Sequence, residues 1–348
     1  MLGFVVTENR TMEWREFPRP KVCPRGALIE TRLVSPCTTD VHAFETGFKR
    51  FPYMIGRPFG HEMTGVVTEV GAEVRDFHIG DEVAVSAFLP APVGFDAMAG
   101  LPQNRDTSYF SVNDLERAGC FVEYYYVKDA DTQLAHIPAE VTPVQALMAT
   151  DMMATAIAGV EEADIWFGDS VAVLGIGPVG LCCVRAAVLR GAGRVFAIGS
   201  RQVCFDVAKE YGATDCIDYH DPEYHKEIKR RNRGRLDKVI VAGGTFASIA
   251  DGLKLLRYGG KLVNLVSFAD ETDAVLPASA WGHGKPIVSC SALGGRYHME
   301  RMLELIAHGR FRPEKLITHE FHGKENLERA VLLFLEHDRN LIKPVVYF

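Results

Sequence analysis

Four residues in the sequence carry the donor types of a catalytic metal site. Cys37 lies in Ser35-Pro36-Cys37-Thr38-Thr39-Asp40-Val41-His42, His61 and Glu62 in Gly60-His61-Glu62-Met63-Thr64-Gly65, and Asp151 in Thr150-Asp151-Met152-Met153. A catalytic zinc takes three protein ligands from Cys, His and carboxylate and keeps a further position for water or substrate. One Cys, one His and one Asp supply that set, with Glu62 beside the histidine as a fourth ligand or exchange partner. Each residue also has a plainer reading. Cys37 suits a buried thiol, His61 a hydrogen-bonded loop histidine, and Asp151 a helix N-cap just before Met152. Residue spacing alone does not bring the four together.

A second constellation binds phosphate. Ser170–Leu174 reads as a strand running into Gly175-Ile176-Gly177-Pro178-Val179-Gly180, and an apolar helical stretch, Leu181 to Leu189, follows. This is G-x-G-x-x-G with a strand before it and a helix after it, the context that a dinucleotide-binding loop requires. The first glycine allows the tight turn, the second admits the pyrophosphate to the backbone, and the third lets helix pack on strand. Helix N-terminal N–H groups then hold the phosphate charge. The second strand of the unit ends Ile198-Gly199-Ser200-Arg201 and carries no acid at that end. An Asp or Glu there would accept from the ribose 2′-hydroxyl of NAD. A serine beside a guanidinium instead suits a 2′-phosphate, so NADP(H) is the expected cofactor.

These residues need two kinds of scaffold. Before about Ala149 the chain has short β-like runs broken by Gly, Pro and Asp: Ala27–Val34, Thr64–Val70, Asp81–Ser86 and Phe121–Val127. Such spacing predicts an irregular antiparallel barrel or sandwich, with residues 88–120 as a long loop. From about Thr155 to Ala292 strands and helices alternate. Apolar runs at Val171–Leu174, Val195–Ile198, Cys216–Asp218, Val239–Val241, Leu262–Val266 and Ile287–Cys290 predict a doubly wound parallel sheet. The tail predicts helices over Glu300–His308 and Leu327–Glu336 and a closing strand over Lys343–Phe348. The expected division is 1–153, 154–294 and 295–348, with the last segment returning to the first domain.

Composition narrows the function classes. The chain has 348 residues, 47% of them hydrophobic and 24% charged, which suits two folded domains and excludes a disordered chain. A formal charge of −7 without like-charge blocks argues against nucleic-acid binding. Val171–Val184, the longest nearly uncharged apolar stretch, is shorter than the roughly 18–20 residues of a membrane span. Met1–Glu8 lacks the basic head and apolar run of a signal peptide. The eight cysteines form no C-x-x-C pair and read as reduced thiols, so the expected compartment is the cytoplasm.

Gly60-His61-Glu62, Gly65, Gly71 and Val74 match the pattern G-H-E-x2-G-x5-G-x2-V. With this match the chain resembles the zinc-containing alcohol dehydrogenases of the medium-chain dehydrogenase/reductase superfamily, over its whole length. Ser35 to Asp40, Thr150 to Met153, Gly175 to Gly180, Gly199-Ser200-Arg201 and Tyr219 make it most similar to the tetrameric, NADP-dependent bacterial secondary alcohol dehydrogenases. The resemblance implies a Rossmann domain inserted into a mainly β, GroES-like catalytic domain. It implies zinc on Cys37, His61 and Asp151 with Glu62 close by, and 2′-phosphate contacts from Ser200, Arg201 and Tyr219. It also implies a homotetramer acting on small alcohols, ketones or aldehydes, with no nucleic-acid or membrane partner.

Two departures matter. Many relatives hold a second, structural zinc with four closely spaced cysteines after the signature. Residues 88–119 contain no cysteine, so one zinc per chain is expected. The relay position that is usually serine is Thr39, which keeps a hydroxyl; the implied proton path runs from Thr39 through the cofactor ribose to His42. Ala87 to Pro90, Tyr109-Phe110 and Ser291 to Leu293 do not closely match the small-ketone enzymes, so the substrate stays open. Three other readings compete. A zinc-free quinone reductase of this fold would lack the Cys/His/Asp set, and an NAD-dependent polyol or threonine dehydrogenase sits poorly with Ser200-Arg201. A non-catalytic protein on this fold would have no use for ligands, relay and cofactor residues together.

Overall fold

The computed structural model describes residues 1–45, 55–88, 119–267, 276, 284–292 and 294–348; the side chains of residues 42 and 43 lie outside that description. The described residues form two compact units. One comprises Met1–Ala154 with Leu293–Phe348, and the other Thr155–Ala292. Residues 89–118, most of the long loop expected from the sequence, fall outside the described residues, as do the pocket segments Leu89-Pro90 and Tyr109-Phe110 and residue Leu293.

The first unit begins with a hairpin of β1 (Leu2–Val6) and β2 (Met12–Glu16). The larger sheet uses β3 (Ala27–Ser35), β4 (Glu62–Val70), β5 (Glu82–Val85), β6 (Tyr124–Val127) and β7 (Leu134–His136). β3 and β4 are mostly buried and contribute Ile29, Met63 and Val67 to the core, alongside Phe4, Phe77 and Phe121. Antiparallel pairing of β3 with β4 sets Ser35 opposite Glu62. That register brings the end of β3, where Cys37 follows, beside the start of β4, which His61 precedes.

The second unit contains β8 (Ser170–Leu174), β9 (Arg194–Gly199), β10 (Asp215–Asp218), β11 (Leu236–Val241), β12 (Leu256–Asn264) and β13 (Ile287–Ser289). All of its pairings are parallel, in the order β10-β9-β8-β11-β12-β13. This is the doubly wound order, with its switch point between β8 and β11. Every residue of β8 is buried, as a strand covered on both faces requires. The six expected apolar runs all lie in these strands, with ends shifted by a few residues. The largest shift is at β12, whose first half, Leu256–Gly260, includes two glycines and three exposed positions and gives no apolar signal.

The tail adds a helix at Arg296–Ala307, β14 (Ile317–His322), a helix at Leu327–Leu335 and β15 (Lys343–Tyr347). β15 pairs antiparallel with β3 and parallel with β14, so the chain closes on the sheet that holds β4. The described residues thus form the mainly antiparallel β unit and the doubly wound parallel sheet that the sequence predicts.

Candidate metal centre and dinucleotide site

Cys37, His61, Glu62 and Asp151 converge. Each offers one ligand atom, and these four atoms lie within 4.8 Å of one another. Cys37 stands in the two-residue gap between β3 and the helix Thr38–Glu45. Asp151 occupies the turn between the helices Pro143–Ala149 and Met152–Glu162, so it keeps the position before a helix expected of an N-cap. The helix before that turn is held at both ends: a capping box of Thr142 and Gln145 starts it, and Thr150 Oγ1 donates to the Leu147 carbonyl at 2.7 Å where it ends.

His61 Nε2 lies 3.2 Å from Asp151 Oδ2 and 3.8 Å from Glu62 Oε1, and Cys37 Sγ lies 3.9 Å from Asp151 Oδ2. In a tetrahedral zinc site with bonds of ~2.0–2.3 Å, neighbouring ligand atoms stand about 3.3–3.8 Å apart. The spacing and the N/S/O donor set both fit zinc. Glu62 supplies a third sign of fit: Oε2 is buried with no hydrogen-bond partner among the described residues. A bare buried carboxylate oxygen is costly unless a cation serves it. The Glu62 carboxyl is raised to about 7, because burial outweighs the lowering by the Lys343 ammonium.

The other cysteine nearby, Cys120, is a poorer ligand. It is fully buried, burial pushes its thiol well up, and it donates to the Glu62 backbone carbonyl at 3.5 Å. Thr39 is exposed, with Oγ1 3.8 Å from Cys37 Sγ. His42 lies three residues further along the same helix; its side chain is outside the described residues.

In the second unit the loop after β8 has room for phosphate. Gly177 caps the helix Pro178–Leu189 with extended backbone, no side chain caps it, and a Cβ there would meet nothing within 4 Å. Pro178 opens the helix where a missing N–H costs nothing. Val179, partly buried, follows it in the first turn. Gly175 has φ +85°, and a Cβ on Gly180 would fall 2.0 Å from the Gly175 carbonyl oxygen, so loop and helix close only on glycine. The vacant space before an uncapped helix start fits a pyrophosphate.

Gly199 ends β9, and Asp218, opposite it, ends β10. Tyr219 N donates to the Gly199 carbonyl at 3.2 Å, and the Ser200 and Tyr219 hydroxyls are 3.4 Å apart. Tyr219 is 50% exposed. Arg201 precedes the helix Gln202–Glu210. Ser200 Oγ donates to the Tyr219 hydroxyl, so the two hydroxyls stand side by side at the ends of β9 and β10. Asp218, the acid nearest them in register, has Oδ1 engaged by the His220 backbone N–H and 2.9 Å from His220 Nδ1.

Residues 24–139 match the family model described as "Alcohol dehydrogenase GroES-like domain" and residues 178–308 the model "Zinc-binding dehydrogenase". The chain is 40% identical to the NADP-dependent isopropanol dehydrogenase of Thermoanaerobacter brockii, over 99% of both chains. The chain belongs to the zinc-containing alcohol dehydrogenases. It is 37% identical to the NADP-dependent isopropanol dehydrogenase of Clostridium beijerinckii, again over 99% of both chains. Its fold matches the solved alcohol dehydrogenase of Thermus sp. ATN1 with a TM-score of 0.86 at 24% identity, over 100% of this chain and 99% of that one.

Three residues of this alcohol dehydrogenase escape sequence reasoning. Lys343, 1% exposed, donates to Glu62 Oε1 at 2.6 Å and to the Pro36 carbonyl at 2.9 Å. Burial lowers the Lys343 ammonium, but the charges of Glu62 and Cys37 outweigh it and raise the net value. Asp40 accepts from Cys37 N–H through Oδ2 at 2.9 Å, and its Oδ1 lies 3.5 Å from His61 Nδ1. A carboxylate behind a metal-ligating histidine fixes its tautomer and ring orientation. Ile176 fills the space beside Gly199, 2.4 Å from where a Cβ would stand. A signal existed only for Asp40, an acid three residues from the candidate ligand cysteine.

Proposed function

We propose that the protein is an NADP(H)-dependent alcohol dehydrogenase that interconverts small alcohols, secondary ones above all, with ketones or aldehydes. The observation that carries this reading is the convergence of half-buried Cys37 with buried His61, Glu62 and Asp151, the donor set of a catalytic rather than a structural zinc. Cys37, His61 and Asp151 would hold one zinc, with Glu62 at its edge. When bound, the zinc supplies Lewis-acid polarisation of the substrate oxygen and the nicotinamide supplies the hydride acceptor or donor.

The chain's own residues do the rest. Asp40 faces Nδ1 of the His61 ring, so that Nε2 is the nitrogen turned toward Asp151 and the other ligand atoms. The Thr39 hydroxyl would accept the proton of the substrate alcohol and His42 would pass it to solvent, with a bound cofactor's ribose supplying the link between them. Gly175, Gly177, Pro178, Val179 and Gly180 hold the pyrophosphate against the start of their helix. Gly199 lets the ribose approach, and Ser200, Arg201 and Tyr219 bind the 2′-phosphate with charge-assisted hydrogen bonds. The two relatives, both NADP-dependent by name, support that choice.

The domain roles belong to the same proposal: residues 1–153 and 295–348 form the catalytic domain and 154–294 the dinucleotide-binding domain. A homotetramer and a cytoplasmic site of action also belong to it, supported by family resemblance. Among the described residues no helix is long and apolar enough to cross a membrane. Metal analysis combined with NADPH consumption on a panel of ketones and aldehydes tests the reading. One zinc per chain and turnover that prefers NADPH are expected; two zincs per chain, or none with full activity, contradict it.

A further inference from the structure

The second unit gathers cations at a place the cofactor loop does not use. The helices Tyr224–Asn232 and Ala247–Leu255 lead into the parallel strands β11 and β12, so they run in the same direction. Tyr224 and Ile228 of the first share a buried core with Ile249 and Leu253 of the second. Across the pair, His225 Nε2 stands 3.6 Å from Asp251 Oδ1. Residues three and four apart share a helix face. One turn on from His225 is Lys229, and one turn on from Asp251 is Lys254, so the next residues to meet across the helices are two lysines.

Two further cations reach the same turn. Lys285 Nζ donates to the Leu253 carbonyl at 2.9 Å and Arg235 Nη1 to the Leu256 carbonyl at 3.4 Å, on either side of Lys254. Lys254 pairs with Asp251 at 2.8 Å, whereas Lys229, Arg235 and Lys285 have no ion pair among the described residues. Burial and the charges of Arg235 and Lys254 lower the Lys229 ammonium, and burial and the charges of Arg235 and Lys229 lower that of Lys285. A plainer role for such cations is to cap the negative ends of two helices. The first helix is already closed by backbone, however: after the left-handed turn at Arg233, φ +56°, Gly234 N–H donates to the Lys229 carbonyl at 2.9 Å. Four cations set against Asp251 and two helix ends of about half a charge each leave about +2. We infer that Lys229, Arg235, Lys254 and Lys285 form a binding site for a dianionic phosphate group, free or esterified, apart from the cofactor site.

The site stands at the opposite end of the sheet from the glycine loop. Arg235 immediately precedes β11, whereas Gly175 immediately follows β8, and these two strands are parallel neighbours. The six residues of β11, roughly 20 Å of strand, separate the two levels. A phosphate here is not one of a dinucleotide held at the glycine loop. Lys229 and Lys285 are half-buried and have already lost part of their hydration, which an anion would replace, while Arg235 and Lys254 are exposed and leave the site open to entry. The guanidinium offers paired donors to phosphate oxygens and the ammonium groups act as point charges. Cations gathered around one turn suit a compact phosphate group rather than a nucleic-acid backbone, which takes a stripe of basic residues.

The test titrates the protein with inorganic phosphate and with methyl phosphate at constant ionic strength, with NADPH saturating to fill the phosphate positions of the cofactor site, and follows phosphorus NMR line broadening. Wild type is expected to bind at least one of the two probes, and the tighter one tells whether the free or the esterified anion is the better ligand. Lys229→Gln and Arg235→Gln are each expected to weaken binding about fivefold or more, and together about 20-fold or more, the low end for bonds to charge because water reaches the site. Arg230→Gln removes the same charge from the same helix, but Glu227 holds that guanidinium at 2.7 and 2.8 Å, so affinity is expected to stay within about twofold of wild type. If Lys229→Gln does not fold, Lys285→Gln, which keeps a donor for the Leu253 carbonyl, takes its place with the same expectation. A wild-type protein that binds neither probe overturns the proposal. So does equal weakening by Arg230→Gln, which would report net charge alone, or unchanged affinity in the Lys229 and Arg235 variants. The substituted residues lie away from the cofactor loop, so the outcome does not depend on the cofactor reading.

Discussion

Replacing Ser200 and Tyr219 is the sharpest perturbation of cofactor choice. Their hydroxyls are 3.4 Å apart at the ends of adjacent parallel strands, and under the proposed function both would address the 2′-phosphate. A hydrogen bond to a charged group contributes about 1.5–3 kcal/mol. Ser200→Ala or Tyr219→Phe should each lower NADPH affinity by roughly 10- to 150-fold at 1.4 kcal/mol per factor of ten. Tyr219 is half exposed and water partly replaces it, so its substitution belongs at the lower end. The double variant should lose less than the product of the single losses, because two donors 3.4 Å apart share one ligand. Binding of NADPH and NADH by fluorescence titration, with kcat/KM at one saturating ketone, measures this. NADH values should stay close to wild type in every variant. A wild-type protein that used NADH as well as NADPH, or variants that lost both cofactors equally, would refute the reasoning. The intuitive switch, Gly199→Asp, is a poor test. Its Cβ would stand 2.4 Å from Ile176, so part of any loss would report overpacking of about 1–3 kcal/mol rather than repulsion of phosphate.

Thr39→Ala should reduce alcohol oxidation severely across pH, whereas Thr39→Ser should stay near wild type; equal rates for all three would remove Thr39 from the relay. Asp40→Asn should weaken zinc retention about 10- to 100-fold against a competing chelator, since it loosens both the His61 ring and the Cys37 backbone. Burial pushes the Asp215 carboxyl up, but bonds from Arg194, Thr214 and Arg231 outweigh it and hold the group below the ordinary aspartate value of 3.8. A depressed carboxyl stabilises the fold above its unfolded value and loses that contribution as pH falls through the folded one. Asp215→Asn should therefore cost about 1–2 kcal/mol near pH 7 in urea denaturation, discounted because both arginines are about one-third exposed, with the gap closing in acid.

The parallel sheet was legible because each strand is a buried apolar run between helices, a pattern that needs no partner to be recognised. β1, β2, β7 and β14 were not, since their burial depends on which strand or core lies beside them. β14, for instance, reads Ile317-Thr318-His319-Glu320-Phe321-His322 and has no fully buried position. The glycine loop and the Cys37, His61, Glu62 and Asp151 motifs were visible as residue types. What brings Cys37 beside His61 is the register that sets Ser35 opposite Glu62, and no local pattern encodes that pairing. Lys343 is harder still. A lysine at the head of a short C-terminal strand looks like a surface charge until β15 is known to lie along β3.

The measurement that tests the central claim most directly is zinc titration of metal-stripped protein, followed by NADPH oxidation with a small ketone. The account predicts that stripped protein is inactive and that activity returns in proportion to added zinc, reaching a plateau at one zinc per chain. The same titration on His61→Ala should restore nothing. Full turnover by the stripped protein, or a plateau reached only at two zincs per chain, would contradict it.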